Sequence, residues 1–119
     1  MTSQARERIG DVMRECIGNC LNCFQMCERT IQHCLSLGGQ HAAPVHIRTL
    51  QDCAQICATS AAFMLRMSPL HSQVCGVCAE ACQACAESCR GMGRDSQMLA
   101  CAEACQACAE SCRRMATGA

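Results

Sequence analysis

Residues Cys78–Arg90 read CAEACQACAESCR, and the same thirteen residues recur at Cys101–Arg113. In each copy the cysteines stand at i, i+4, i+7 and i+11: Cys78, Cys82, Cys85 and Cys89 in the first, Cys101, Cys105, Cys108 and Cys112 in the second. An α-helix returns to one face about every 3.6 residues, so this 4-3-4 spacing lines all four thiols along one stripe, at heptad positions a and d. The spacers Ala-Glu-Ala, Gln-Ala and Ala-Glu-Ser are strong helix formers without Gly or Pro. Both segments therefore read as helices that offer sulfur where a bundle helix offers leucine.

Working outward, His71 and Cys75 extend the stripe upstream, which predicts a third helix over about Pro69–Arg90, with Ser68 as N-cap and Pro69 at the first helical position. Gly91 and Gly93 break it, and Asp95 or Ser96 caps a fourth helix carrying Met98, the second cysteine set and Met115. The first periodic segment, about Ser3–Leu37, has the stripe Ile9, Met13, Cys16, Cys20, Cys23, Cys27, a gap near Thr30, then Cys34. Beside it runs a second stripe, Ile17, Leu21, Phe24, Ile31 and Leu35, which either completes the core or packs on another subunit. Gly38-Gly39 ends that helix, and a loop bearing His41 leads to Pro44. A second helix over about Val45–Met67 places Leu50, Cys53, Cys57, Ser60, Ala61, Met64 and Met67 on the corresponding face.

Four helices with short connections predict an all-α fold, an antiparallel up-down-up-down four-helix bundle with a cysteine-lined core, formed by residues 1–119 as one domain. That topology gathers Met13, Met64, Met67, His71 and Met115 at one end, and His33, Cys34, His41, His46, Met92 and Met98 at the other.

Composition narrows the function. Ten basic and ten acidic residues cancel, which argues against nucleic acid or an anionic membrane as partner, and two Phe with no Trp or Tyr leave no stacking platform. Leu, Ile, Val and Phe together number 18, so the 16 cysteines must supply much of the core. Met1–Glu15 is mixed and polar, and no long apolar run occurs, so the chain reads as soluble and cytoplasmic. Thiols in a reducing compartment point to metal before disulfides.

Cysteine as a small hydrophobe explains one or two buried thiols, not a whole register, since Ala or Val would pack without the oxidation risk. Disulfides within a helix are strained, because Cβ atoms at i, i+4 lie about 5–6 Å apart where a relaxed bridge needs about 3.5–4.5 Å. Soft thiolates and thioethers select Cu(I), zinc or iron–sulfur clusters. Zinc wants closed sets of four, which the distribution of five, two, five and four cysteines over the helices serves poorly. The C-x2-C-x2-C run of an iron–sulfur protein is absent. Cu(I) accepts two or three sulfurs, and the methionines at both ends favour it. Multiple Cu(I) ions are therefore the expected cargo. Their ligands are Cys16, Cys20, Cys23, Cys27, Cys34, Cys53, Cys57, Cys75, Cys78, Cys82, Cys85, Cys89, Cys101, Cys105, Cys108 and Cys112, with His71, Met64, Met67 and Met115 as auxiliary candidates. A zinc-binding bundle or buffer and a thiol redox protein are the alternatives. Every CxxC here is mid-helix and inward, unlike a redox motif at a helix start. The series Glu80, Glu87, Glu103 and Glu110 reads as a solvated face, so no acid–base machinery, and no enzyme, is expected.

With this stripe in place the chain resembles the copper storage proteins, cysteine-rich four-helix bundles, and specifically their cytosolic branch. The carrying residues are Cys16-x3-Cys20-x2-Cys23-x3-Cys27, Cys53-x3-Cys57, Cys75-x2-Cys78-x3-Cys82-x2-Cys85-x3-Cys89 and Cys101-x3-Cys105-x2-Cys108-x3-Cys112. The resemblance implies a homotetramer of bundles, each filled with Cu(I) on CxxxC and cross-helix thiolates, serving storage or detoxification and exchanging copper with donor and acceptor proteins. Cytosolic members tend to carry histidines between the third and fourth helices, where this chain has Gly91-Met92-Gly93-Arg94-Asp95-Ser96-Gln97-Met98, so Met92 and Met98 stand in their place.

Overall fold

A computed structural model describes residues 9–118. Four helices follow one another: α1 (Asp11–Leu37), α2 (Pro44–Leu65), α3 (His71–Arg90) and α4 (Ser96–Thr117), with a short 3-10 turn at Gly39–Ala42 between the first two. Each helix packs on its two chain neighbours and α1 closes the ring against α4, whereas the diagonal pairs make no backbone approach among the described residues. That is the up-down-up-down bundle, and its axis is left to side chains alone.

Those side chains are sulfur. All the cysteines from Cys16 to Cys112 are fully buried and none is in a disulfide. Leu50, Met64 and Met98 are the largest other side chains fully enclosed with them. Ile17 and Ile31 of the second stripe complete the core and Phe24 packs on it, while Leu21 and Leu35 stay exposed on the α1 surface. No described helix is long and apolar enough to cross a membrane.

The helix boundaries differ from expectation in three places. Residues 3–8 lie outside the described residues, and the helix expected from Ser3 starts at Asp11, after Gly10 in extended backbone. The helix expected to reach Met67 stops at Leu65. The Met67 amide bonds to the Met64 carbonyl and the Ser68 amide to the Phe63 carbonyl, a Schellman closure that needs a left-handed residue, and Met67 takes it with φ 52°. Ser68 and Pro69 do not open α3. The Ser68 carbonyl instead accepts from the His71 amide and its hydroxyl accepts from the Leu70 amide, so Ser68–His71 is a turn with Pro69 at its second position. The start of α4 is as expected, because the Asp95 carboxylate accepts from the Gln97 and Met98 amides.

Candidate metal centre

The 4-3 register points each cysteine stripe at the bundle axis, and the sulfurs meet across it. On one side of the channel Cys16 and Cys20 of α1 both lie 3.6 Å from Cys112 of α4, and the Cys108 thiol donates to Cys20 Sγ at 3.5 Å. In the middle Cys53 of α2 is 3.6 Å from Cys23 and from Cys82, and Cys57 is 3.5 Å from Cys82. Diagonal pairs also touch: Cys57 and Cys108 at 3.8 Å, Cys53 and Cys105 at 3.9 Å, Cys27 and Cys85 at 4.0 Å. For a metal–sulfur bond of about 2.3 Å, the zinc value, sulfurs sharing one ion stand roughly 3.8 Å apart in a tetrahedron and about 4.0 Å apart in a trigonal set. The channel is already spaced for metal.

Sets of four sulfurs, each mutually within 4.8 Å, overlap in sequence along the axis. Cys20, Cys78, Cys108 and Cys112 share Cys78 and Cys108 with the set Cys57, Cys78, Cys82 and Cys108. That set shares Cys57 and Cys82 with Cys23, Cys53, Cys57 and Cys82. Cys23 and Cys53 lead on to Cys23, Cys27, Cys53 and Cys105, and Cys27 and Cys105 to Cys27, Cys85, Cys101 and Cys105. Each rung hands two thiols to the next, so a metal in one set uses sulfurs that its neighbour also needs. Bridging thiolates are built into the arrangement.

Protons are distributed unevenly within the ladder. Cys53 is held below the usual thiol range, chiefly because Cys105 and then Cys23 bond to its sulfur. Cys105 and Cys57 are pushed up in return, Cys105 mainly by the neighbouring Cys101 thiol and Cys57 mainly by its bond to Cys108. Neighbouring sulfurs therefore cannot all be anions at once, which is the expected behaviour of clustered acids in a dry interior.

At one end Ser60 stands in the α2 stripe where a further thiol would fall, and its hydroxyl is 3.3 Å from Cys75 Sγ. Met64 is fully buried beside this end, and Met13, His71 and Met115 line one surface recess there with Arg114. His71 is turned to its own helix start, its Nδ1 2.8 Å from the Ser68 carbonyl. Met67 is exposed and lies outside the core, because the left-handed backbone that closes α2 carries it outward.

The opposite end holds Cys34 together with His46 and Met98, two groups expected at this end but not among the expected ligands. His46, buried near the start of α2, has Nε2 3.5 Å from Cys34 Sγ and Nδ1 2.6 Å from the Ser88 hydroxyl. The Cys34 thiol donates to Met98 Sδ at 3.9 Å. Burial first, then the Asp95 carboxylate, pushes the Cys34 thiol up to about 11. Burial, helped by His41, lowers His46 and favours its neutral, metal-ligating form. Gly38-Gly39 turns the chain so that His46 faces Cys34, a pairing separated by twelve residues that helical periodicity does not reveal.

Residues 10–117 match the family model for copper storage proteins. A crystal structure of a protein from Nitrosospira multiformis superposes with TM-score 0.84 at 43% identity, covering 91% of this chain and 97% of that one. The Cu(I)-bound copper storage protein BsCsp3 of Bacillus subtilis gives 0.82 at 37%, covering 89% and 99%. Ccsp of Streptomyces lividans, a copper storage protein loaded with 10 copper equivalents, gives 0.78 at 32%, covering 92% and 86%. A curated relative, the uncharacterized cysteine-rich protein YhjQ of Bacillus subtilis, is 39% identical over 65 residues; that match takes in 55% of this chain and 60% of the relative's length. With the family match running through all four helices and every thiol of the channel, this chain belongs to the copper storage protein family.

Proposed function

We propose that this protein stores many Cu(I) ions in its bundle, without catalysing a reaction, and that all sixteen cysteines are the ligands. The observation that carries the reading is the ladder of overlapping four-sulfur sets, each sharing two thiols with the next. Zinc wants a closed tetrahedron of four sulfurs, whereas Cu(I) is content with two or three, so a ladder of shared thiols suits it better. Charge points the same way: burying many thiolates is prohibitive unless each lost proton is replaced by a cation, and a monovalent ion leaves the interior near neutral. Relatives that are Cu(I)-bound, or loaded with 10 copper equivalents, support the same cargo here.

Residues 1–119 act as one unit in this proposal, since every helix contributes to a single channel. A relative described as cytosolic supports a cytoplasmic role. Leu21 and Leu35, left exposed on α1, supply apolar surface for the homotetramer, and donor and acceptor proteins deliver and collect the copper. Of the auxiliary candidates, Met64 is the best placed; His71 and Met115 stand at the channel end, and Met67 is turned away from it. Anaerobic titration of the reduced protein with Cu(I) against a competing chelator tests the proposal. Many ions per chain are expected, with Cu(I) displacing zinc completely from the channel thiols; saturation at one or two ions, or zinc retained on those thiols, would end the reading.

A further inference from the structure

Outside the thiol channel, one cluster brings together metal-ligating atoms of another kind. Asp95 Oδ2 is 2.8 Å from His33 Nε2, on the last turns of α1, and 3.3 Å from His41 Nε2, in the 3-10 turn. The two imidazole rings meet edge to face with centroids 6.2 Å apart, so both direct a nitrogen at one carboxylate oxygen from different sides. The His33 contact is a hydrogen bond. The His41 contact is not: its Nε2 is sealed from solvent and has no hydrogen-bond partner, although the carboxylate oxygen is 3.3 Å away. A buried ring nitrogen aimed at an anion without the alignment of a hydrogen bond is an unmet ligand.

We propose that His33, His41 and Asp95 form a second metal site, one that takes a divalent ion of borderline softness such as zinc rather than Cu(I). Two imidazoles and a carboxylate are the donor set such ions prefer, and the set contains no sulfur. Bonds of about 2.0–2.2 Å in a four-coordinate site hold ligand atoms roughly 3.3–3.5 Å apart. The His41–Asp95 separation already fits, and the His33–Asp95 pair must open by about 0.5 Å from 2.8 Å as its hydrogen bond is replaced by two metal bonds. Water completes the coordination, since His33 keeps a third of its side-chain surface in solvent. Asp95 also caps α4 through the Gln97 and Met98 amides, which orients its carboxylate as the outer partners of a metal ligand do. The ion would tie the end of α1, the 3-10 turn and the start of α4 together beside Cys34, whose thiol already responds to the Asp95 charge.

The test uses the full chain, reduced and loaded with Cu(I) so that its thiolates are taken, then dialysed anaerobically against Zn(II) and analysed for both metals. One Zn(II) per chain without loss of copper is expected, with at least tenfold weaker binding in D95N and in H41N. Asn remains a good N-cap, so D95N keeps the fold. The same variants are compared as apo proteins, where each should bind one Zn(II) fewer than wild type whatever the copper capacity proves to be. Co(II) gives a separate readout: at this site it binds without the intense sulfur-to-metal absorption that channel thiolates produce. Equal Zn(II) uptake by wild type and D95N, zinc entering only as copper leaves, or Co(II) showing sulfur ligation alone would overturn the proposal and leave the His33–Asp95 hydrogen bond as a latch with His41 packed beside it.

Discussion

Cys53 belongs to two consecutive four-sulfur sets and touches Cys23, Cys82 and Cys105, sulfurs from each of the other helices. Replacing it separates its effect on folding from its effect on cargo. Cys53→Ala removes one buried sulfur and leaves a small void, about 1 kcal/mol of stability in the metal-free protein. Cys53→Ser puts a hydroxyl among weak sulfur acceptors and costs more, about 1–3 kcal/mol. Denaturant unfolding should therefore rank wild type above Ala above Ser, while Cu(I) capacity falls equally in both variants; equal stability of the two would mean that the hydroxyl finds a full partner. Cys34 gives a pH dependence. Its thiol rises from an ordinary 9.0 to about 11 on folding, so between those values the folded chain holds more protons than the unfolded one. The contribution is complete below about pH 9 and lost as pH rises through about 11. The denaturation midpoint of the metal-free protein should be level near neutrality and drop over that window, less steeply in Cys34→Ala. The inward placement of the cysteines was legible because a 4-3 spacing is local arithmetic. The pairing of His46 with Cys34 was not, because a glycine turn between two helices sets it, and neither residue's own spacing reports the other.

At the scale of elements, α3 and α4 follow the repeated thirteen residues closely, and the α4 cap was readable to within two residues, Asp95 or Ser96, of which the structure uses Asp95. The α2–α3 junction was not. Ser-Pro ahead of a periodic segment ordinarily starts a helix, but α2 ends on a Schellman closure that has already placed Met67 in left-handed backbone, so Ser68 and Pro69 are used up in turning the chain. A sequence pattern scores each helix end separately and does not register that two ends compete for four residues. The strain at Met67 makes this junction testable. A non-glycine residue in the left-handed region costs about 1–2 kcal/mol, and glycine there loses about 0.5–1 kcal/mol of chain entropy on folding. Met67→Gly should therefore stabilise the metal-free bundle by about 0.5–1 kcal/mol, a rise of roughly 2–6 °C in Tm by calorimetry. Because Met67 lies outside the core, its Cu(I) capacity should stay at the wild-type value. A loss of copper would make the thioether a ligand after all and return Met67 to the channel end.

For the whole molecule, the question is how one interior serves both an empty and a full state. Protonated thiols are small, weakly polar core groups, and here they donate to one another at 3.5–4.0 Å instead of being left unpaired. The bundle can therefore fold before any metal arrives, unlike a zinc finger, whose ligands are too few and too exposed to make a core without the ion. Far-ultraviolet circular dichroism of the reduced, metal-free protein should show a mainly helical chain that unfolds cooperatively, and copper should leave the helical content almost unchanged. Stability should change greatly. Each independent ion held at a free concentration 100-fold above its Kd adds about 2.7 kcal/mol, so even about three ions shift Tm by more than ten degrees. Because the sulfur sets overlap, the gain per ion should fall as loading proceeds and later ions displace thiols already shared, giving a curve of Tm against copper that rises steeply and then flattens. A metal-free chain without helical signal would mean that the thiols cannot pack without copper, and a straight line to saturation would mean separate sites in place of the ladder.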